Sequence, residues 1–301
     1  MKGVPRFMPR RLQDLVVFAA PAVFVVLWAT GFIGAKFGLP YAEPLTFLTL
    51  RMGTVVVLLG AILSLTRPKW PGARGVAHSA VTGLLVHGLG LGGVFVAIGN
   101  GLSAGMVALV LSLQPVLTST IASRWLGERV RLLQWVGLAL GLFGIYLIVR
   151  DKATTGSATP FAWAASAVGL LGITVGTLYQ KRFGGEIDWR PALCVQYAAA
   201  GLLFVFGAAV SETRIVNWTP QFLFALGWLV LVLSLGAVWL LYFLIRRAAA
   251  TRVASMFYLT PPVTALMAWA LFDERLAPMA LLGMAVCVLG VFLANWKTNA
   301  I

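Results

Sequence analysis

The chain has 301 residues, of which 60% are hydrophobic and 11% charged, against roughly 25% charged residues in a soluble domain. This composition excludes a soluble globular protein and indicates an integral membrane protein whose surroundings are a lipid bilayer. The formal net charge of +14 would suggest a nucleic-acid partner in a soluble protein, but here the basic residues lie in short connections, where they set membrane orientation and predict no nucleic-acid binding.

Apolar runs of about 20 residues, long enough to cross a hydrocarbon layer of roughly 30 Å, recur along the chain. They predict an all-α fold of ten transmembrane helices near residues 15–36, 43–65, 76–97, 103–123, 130–149, 160–181, 190–210, 221–245, 250–272 and 277–296. The first run is too long for a cleaved signal peptide. Alternating the connections between the two sides places 17 Lys and Arg with the N-terminus and 5 opposite. We therefore expect a multi-pass protein of a bacterial-type inner (plasma) membrane with both termini cytoplasmic.

Arg51 is the one basic residue inside a predicted helix, about 12 Å deep in helix 2. Its side chain could snorkel to the outer interface or bond to carbonyls of neighbouring helices, or it could bind a substrate carboxylate. In helix 3, His87 is the only mid-membrane group that titrates near neutral pH. It could be a structural histidine, a substrate contact or a proton relay, whereas His78 belongs to the cytoplasmic end.

Helices 3 and 5 are rich in glycine, at positions that include Gly83, Gly90, Gly137 and Gly144. Small residues at helical spacing allow two helix backbones to approach closely in lipid. Close packing is the expected role, with bending of helix 3 as the alternative.

Residues 104–149 align without a gap on residues 250–295 at an offset of 146, and Pro115 then superimposes on Pro261. At an offset of 145, Arg51 falls on Gln196. The protein is therefore predicted to be a duplication, with a first half at 1–150 and a second half at 151–301. Five helices in each half make the second copy cross the membrane in the opposite sense. Such inverted repeats are typical of transporters that bind a substrate between the halves at mid-membrane.

Pro115 and Pro261 each lie about 11 residues into their helix, roughly 17 Å deep and near the midplane. A proline inside a helix leaves the carbonyl four residues earlier without its donor, which here affects Leu111, Phe257 and, through Pro262, Tyr258. The freed carbonyls could be satisfied by a neighbouring helix, or they could line a central cavity and bind a substrate ammonium.

At the same depth lie neutral polar and aromatic side chains that suit a small zwitterionic or amphipathic metabolite. The candidate substrate-binding residues are Trp28, Thr30, His87, Ser112, Gln114, Thr174, Ser234, Trp239 and Tyr258, with Pro115, Pro261 and Pro262 as kinks or hinges. Any single Ser or Thr, including Thr177, can instead bond back to its own helix. Gln114 and His87 need a partner at this depth.

The sequence predicts no enzyme, no metal and no cofactor. A phosphate-binding Gly-Lys-Ser/Thr loop and a ligand cluster are both lacking, and Cys194 and Cys287 are expected to be small core residues. No Asp or Glu lies in the middle third of a predicted helix, which disfavours proton-coupled export of dications. The Glu128-Arg129 and Glu274-Arg275 pairs are expected to cap and orient turns, with a gating salt bridge as the alternative.

With the doubled Pro, Glu-Arg and Gly pattern, the segments Leu27-Trp28-Ala29-Thr30-Gly31-Phe32 and Phe47-Leu48-Thr49-Leu50-Arg51 resemble the drug/metabolite transporter superfamily and its ten-helix EamA-type exporters. This resemblance covers the whole chain. It implies alternating access and export of an amino acid or similar small metabolite, since exporters of aromatic amino acids belong to that group. A sugar-phosphate, nucleotide-sugar or drug carrier of the same fold is the first alternative, and a membrane scaffold that transports nothing is the second.

Overall fold

The computed structural model describes residues 10–102, 107, 110–125, 127, 130–149, 159–185, 187–247, 250–272 and 278–295. Within them the chain is helical apart from turns, connections and one isolated antiparallel bridge between Ala42 and Val216. The Glu-Arg pairs at 128–129 and 274–275 lie outside the described residues, so their proposed role in turns stays a prediction.

Ten helices follow one another in the described part of the chain, which confirms the predicted all-α membrane fold. They are α1 (Arg10–Gly38), α2 (Pro44–Thr66), α3 (Ala73–Gly99), α4 (Gln114–Trp125), α5 (Leu132–Val149), α6 (Pro160–Phe183), α7 (Trp189–Ser211), α8 (Pro220–Arg247), α9 (250–272) and α10 (Pro278–Asn295). Helices α2, α3, α6, α7 and α8 are each long and apolar enough to cross a membrane.

Several helices begin where local sequence provides a cap. The Thr159 hydroxyl accepts a hydrogen bond from Ala162 N at 3.2 Å, and the Thr219 hydroxyl accepts one from Phe222 N at 3.2 Å. In both cases a proline follows the cap, at the first helical position, where its missing N–H costs nothing. The Thr-Pro pairs therefore determine where α6 and α8 start.

Two of the long helices contain π-helical segments at matching positions, Leu84–Leu91 in α3 and Leu229–Ala237 in α8. The two segments are separated by the same offset of about 145 that relates the halves of the sequence. The apolar pattern predicted the helices but not these segments, because a π-bulge shifts backbone hydrogen bonds by one residue without changing hydrophobicity. Such bulges frequently occur at functional sites.

The α-helical structure is interrupted just before the mid-membrane prolines, which corrects the expectation of a proline inside a continuous helix. A turn at 112–113 precedes α4, so Pro115 is its second residue. In α9, a 3₁₀ turn at Phe257–Leu259 precedes the helix Thr260–Phe272, and Pro261 and Pro262 are in its first turn. The α-helix is therefore interrupted by a turn at the proline level in both repeat-related segments.

Helices α5 and α10 pack closely through glycine. A Cβ added at Gly137 would lie 2.5 Å from Gly290 O, and one at Gly144 would lie 2.6 Å from Gly283 O. These contacts confirm close packing as the role of the helix 5 glycines. As residue numbers rise along α5 they fall along α10, so the two helices are antiparallel.

Two connections, the one before α2 and the one after α7, are joined by reciprocal hydrogen bonds to their carboxylates. Glu212 accepts hydrogen bonds from Leu45 N and Thr46 N, both at 2.7 Å, and thereby caps α2 from another helix. Glu43 accepts in return from Thr213 N at 2.7 Å. The hydrogen bond from the Thr213 hydroxyl lowers the pKa of Glu43 below its ordinary value, against a smaller opposing effect of desolvation.

Candidate functional site

Arg51 is buried at the meeting point of α2, α7 and α8. Its side chain is only 3% exposed, which excludes snorkelling to the interface. Arg51 Nε donates a hydrogen bond to Ser234 Oγ at 3.0 Å, while the Tyr197 hydroxyl donates to Ser234 O at 2.6 Å. Ser234 thus holds two side chains from other helices, and its place in the π-helical segment of α8 presents both its hydroxyl and its carbonyl to them.

His87 extends this polar cluster from α3. Its ring lies against Tyr197 with the centroids 4.5 Å apart, and its side chain interacts with Gln196. Gln196 Oε1 accepts a hydrogen bond from the Tyr242 hydroxyl of α8. We call Arg51, His87, Gln196, Tyr197, Ser234 and Tyr242 the central polar cluster. It joins two helices from each predicted half of the chain.

A second group of buried polar atoms lies at the start of α4 and, within α9, at the start of the segment Thr260–Phe272. Gln114 Nε2, Thr118 Oγ1, Thr260 Oγ1 and Thr264 Oγ1 have no hydrogen-bond partner among the described residues. The internal repeat pairs Gln114 with Thr260 and Thr118 with Thr264. We call these four residues the proline-level row, because Gln114 and Thr118 flank Pro115, and Thr260 and Thr264 flank Pro261.

Buried polar atoms without partners cost on the order of 1–3 kcal/mol each. Four such atoms in two repeat-related pairs are therefore a recurring feature of both helices rather than an isolated defect. They provide hydrogen-bonding groups for a polar ligand or for water.

The predicted aromatic residues separate into three environments. Trp28 packs on Phe24 and Phe257, with ring centroids 5.3 Å from each. Trp239 packs on Trp189 at 6.4 Å. These two rings are half-buried, so each retains a face that a ligand could contact.

Tyr258 lies apart from the central polar cluster. Its ring covers Gly141 of α5 and belongs to an apolar group with Leu138 and Cys287. The Tyr258 hydroxyl is buried and has no partner among the described residues. Its ring therefore has a packing role, and only the hydroxyl remains available to a ligand.

The predicted threonines bond back to their own helices. Thr30 Oγ1 donates to Leu27 O at 2.6 Å and accepts from Trp228 Nε1 at 2.9 Å. Thr174 Oγ1 donates to Leu170 O at 2.7 Å, and Thr177 Oγ1 donates to Ile173 O at 2.8 Å. These bonds satisfy the hydroxyls. Ser112 is buried in the turn that precedes α4.

Three residues of the central polar cluster were missed as candidates from the sequence, namely Gln196, Tyr197 and Tyr242. Tyrosines in apolar helices give no periodic signal that reveals which face they occupy. Gln196 had one signal, because the internal repeat places it on Arg51. Polar residues at repeat-related positions of two apolar helices could have identified the pair.

The two predicted halves also contact each other at the end of the helices opposite Glu43 and Glu212. Arg182 Nη1 donates to Trp125 O at 2.7 Å, and its guanidinium lies 5.5 Å from the centroid of the Trp125 ring. His78 Nδ1 and the Tyr179 hydroxyl share a hydrogen bond at 2.6 Å. Hydrogen bonds thus join the two predicted halves at both ends of the helices. The central polar cluster and the proline-level row lie between these two ends.

Among the described residues, no group of three or more His, Cys, Asp and Glu side chains is arranged to hold a metal ion. Cys194 and Cys287 are both buried and unpaired, as expected of core residues.

A model of the EamA-like transporter family matches residues 16–150 and again residues 159–296. The inner membrane transporter YedA of Escherichia coli K12 is 27% identical over 284 residues, covering 94% of this chain and 92% of YedA. A probable amino-acid metabolite efflux pump of the same organism is 24% identical over 278 residues, covering 89% of this chain and 91% of the pump.

A probable terminal-alkyne amino-acid exporter of Streptantibioticus cattleyicolor is 26% identical, with 91% of each chain covered. One crystal structure, 18% identical, superposes with a TM-score of 0.76 over 92% of this chain and 95% of that chain. At that identity the likeness concerns the fold alone.

Proposed function

The chain belongs to the EamA-like transporter family and is a membrane transporter, and from this premise we propose that it exports amino acids or similar small metabolites, aromatic ones among them, from the cytoplasm. The proline-level row carries the proposal. The three unpartnered threonine hydroxyls there can accept hydrogen bonds from a substrate ammonium, and Gln114 Nε2 can donate one to a substrate oxygen. A buried polar atom gains a full hydrogen bond when a ligand supplies the partner. Two relatives are named as a probable amino-acid metabolite efflux pump and a probable terminal-alkyne amino-acid exporter, and these names support the substrate class.

We propose transport by alternating access between two inverted halves, 1–150 and 151–301, around a central cavity. The antiparallel packing of α5 on α10 supports this arrangement, since repeat-related helices face each other across it. At one end the Glu43 and Glu212 contacts would open, and at the other end the Arg182 and His78 contacts. The protein would lie in an inner membrane with both termini cytoplasmic.

Proteoliposomes loaded with a panel of labelled amino acids test the function. Efflux or counterflow faster than in empty liposomes is the expected result. Absence of any amino-acid flux, together with flux of sugar phosphates or nucleotide sugars, would reverse the ranking of substrates. Absence of every flux from folded protein would favour a non-transporting scaffold.

Neighbouring residues in α4 provide a matched pair of variants for the site. Thr118→Val removes an unpartnered hydroxyl, and we expect it to lower transport at unchanged folded yield. Ser119→Ala removes a buried hydroxyl that already donates to Pro115 O at 2.7 Å, and it should leave transport intact. Gln114→Ala should behave like Thr118→Val. Equal transport by all three variants would remove the proline-level row from the substrate path.

A carrier for phosphorylated sugars or nucleotide sugars is the second candidate. Such a substrate needs a buried cation, and the burial of Arg51 favours it.

A further inference from the structure

Arg51 is a buried cation with an unused hydrogen-bond donor. Its Nε is occupied by Ser234, whereas its Nη1 is buried and has no hydrogen-bond partner among the described residues. Removing a guanidinium from water is costly unless an anion or several hydrogen bonds replace the lost hydration. The single hydrogen bond to the Ser234 hydroxyl does not meet that need.

None of the carboxylates whose side chains the structure describes lies beside Arg51. Of the described carboxylates, Glu43 and Glu212 are engaged in the connections outside α2 and α7, and Asp188 binds Arg190 at 2.8 Å. The remaining acidic residues are, in sequence, outside the middle third of every helix. A negatively charged group of a ligand could therefore act as the counterion of Arg51.

The groups around Arg51 hold it in place and add a second unpartnered nitrogen. Ser234 is fixed by the hydrogen bond from Tyr197, so it positions the guanidinium rather than yielding to it. The His87 ring packs on Tyr197 with the centroids 4.5 Å apart. Tyr197 therefore contacts both His87 and Ser234, the hydrogen-bond partner of Arg51. His87 is 4% exposed, and its Nε2 has no partner in the described part of the chain.

We propose that Arg51 binds the carboxylate of the transported substrate, with His87 beside it. The assignment rests on the proposed function and makes it more specific, since it gives the amino acid an orientation. A carboxylate fits better than a phosphate monoester, because the single positive charge of Arg51 balances one negative charge, whereas a phosphate monoester carries about −1.5 to −2. The carboxylate would accept hydrogen bonds from Arg51 Nη1 and from a His87 Nε2–H.

The test measures ligand binding to the purified full chain in lipid nanodiscs by calorimetry. The ligands are an amino acid such as L-phenylalanine, 3-phenylpropionate, which lacks the amine, 2-phenylethylamine, which lacks the carboxylate, and phenyl phosphate. We expect the two carboxylates to bind and 2-phenylethylamine to bind at least about tenfold more weakly. The loss of a charge-assisted hydrogen bond corresponds to roughly a 10- to 150-fold change in affinity.

Variants locate the effect at Arg51. Arg51→Gln should weaken carboxylate binding by roughly 10- to 150-fold, and Arg51→Lys should weaken it less, because it keeps the charge but loses the planar fork. Ser119→Ala serves as the buried-polar control and should bind like the wild type. If Arg51→Gln does not fold, two other binding measurements test the proposal. One is carboxylate binding by Ser234→Ala, which removes only the group that positions the guanidinium, and the other is the ligand series on the wild type.

Several outcomes overturn the proposal. These are equal binding of L-phenylalanine and 2-phenylethylamine, unchanged carboxylate affinity in folded Arg51→Gln, binding of phenyl phosphate alone, or binding of no anion by the wild type. The proposed function fails separately. If 3-phenylpropionate binds in an Arg51-dependent way but no amino acid is transported, the carboxylate site stands and amino-acid export is rejected. If Arg51→Gln transports amino acids normally, amino-acid export stands and the carboxylate site is rejected.

Discussion

Replacing Gly137 by alanine tests the contact between α5 and α10. The added Cβ would lie 2.5 Å from both Gly290 O and Ala294 N, whereas ordinary van der Waals contact begins at 3.4 Å. Both obstacles are backbone atoms, so the helices must separate by the difference, about 0.9 Å. Overpacking of this kind costs about 1–3 kcal/mol, partly offset by the helix propensity of alanine, about 1 kcal/mol better than glycine.

A second variant isolates the packing cost. Gly53 lies within α2, and a Cβ added there meets no atom within 4 Å. Gly53→Ala therefore gains the same helix propensity without a clash. The free energy of unfolding of Gly137→Ala should be lower than that of Gly53→Ala by about 1–3 kcal/mol.

The assay is reversible unfolding of the purified full chain in detergent micelles, followed by tryptophan fluorescence. Gly290→Ala should cost a similar amount, because its Cβ would lie 2.6 Å from Gly137 O. The double variant should cost less than the sum, since one separation of the helices relieves both clashes. A Gly137→Ala protein as stable as Gly53→Ala would refute the close approach of the two backbones.

Three further outcomes are expected. Glu212→Ala should destabilise the protein by about 0.5–2 kcal/mol, measured by the same unfolding assay, because α2 loses the cap on Leu45 N and Thr46 N. The lowered pKa of Glu43 means that its contribution is fully present above pH 4.5, the ordinary value, and is lost as the pH falls through the folded value. The thermal midpoints of wild type and Glu43→Gln should therefore differ near neutral pH and converge in acid, and a constant difference would contradict this linkage. Tyr242→Phe should cost about 1–3 kcal/mol in unfolding experiments because Gln196 Oε1 loses its donor; unchanged stability would show that Gln196 finds another partner.

Hydrophobicity was sufficient to predict the helices, because an apolar run of membrane-spanning length has no other stable form in lipid. The apolar runs predicted two helix starts, at residues 160 and 221, within one residue of the observed starts at Pro160 and Pro220. The internal repeat drew attention to the proline level, where Gln114 is buried and its Nε2 has no partner among the described residues; its role in substrate binding stays a prediction. These features depend on local sequence or on the repeat itself.

The side-chain arrangement was harder to predict, because it depends on which face each helix turns inward. Helices that are apolar all round carry little facial signal, so Tyr197 and Tyr242 could not be assigned to the interior. Arg51 looked able to reach the interface from its depth, but Ser234 of another helix holds it inside. Tyr258 was predicted to bind substrate, which stays a prediction, and its ring packs on Gly141 instead of joining the central polar cluster.

The cap that Glu212 places on α2 has a consequence for biosynthesis. Glu212 follows Thr46 by 166 residues, so at about 5–20 residues per second the ribosome needs about 8–33 s to deliver it. During that interval the first turn of α2 must keep its amides hydrated at the bilayer surface. We therefore expect the second helix to insert first in a shallow position and to reach its final depth only after the seventh helix has been inserted.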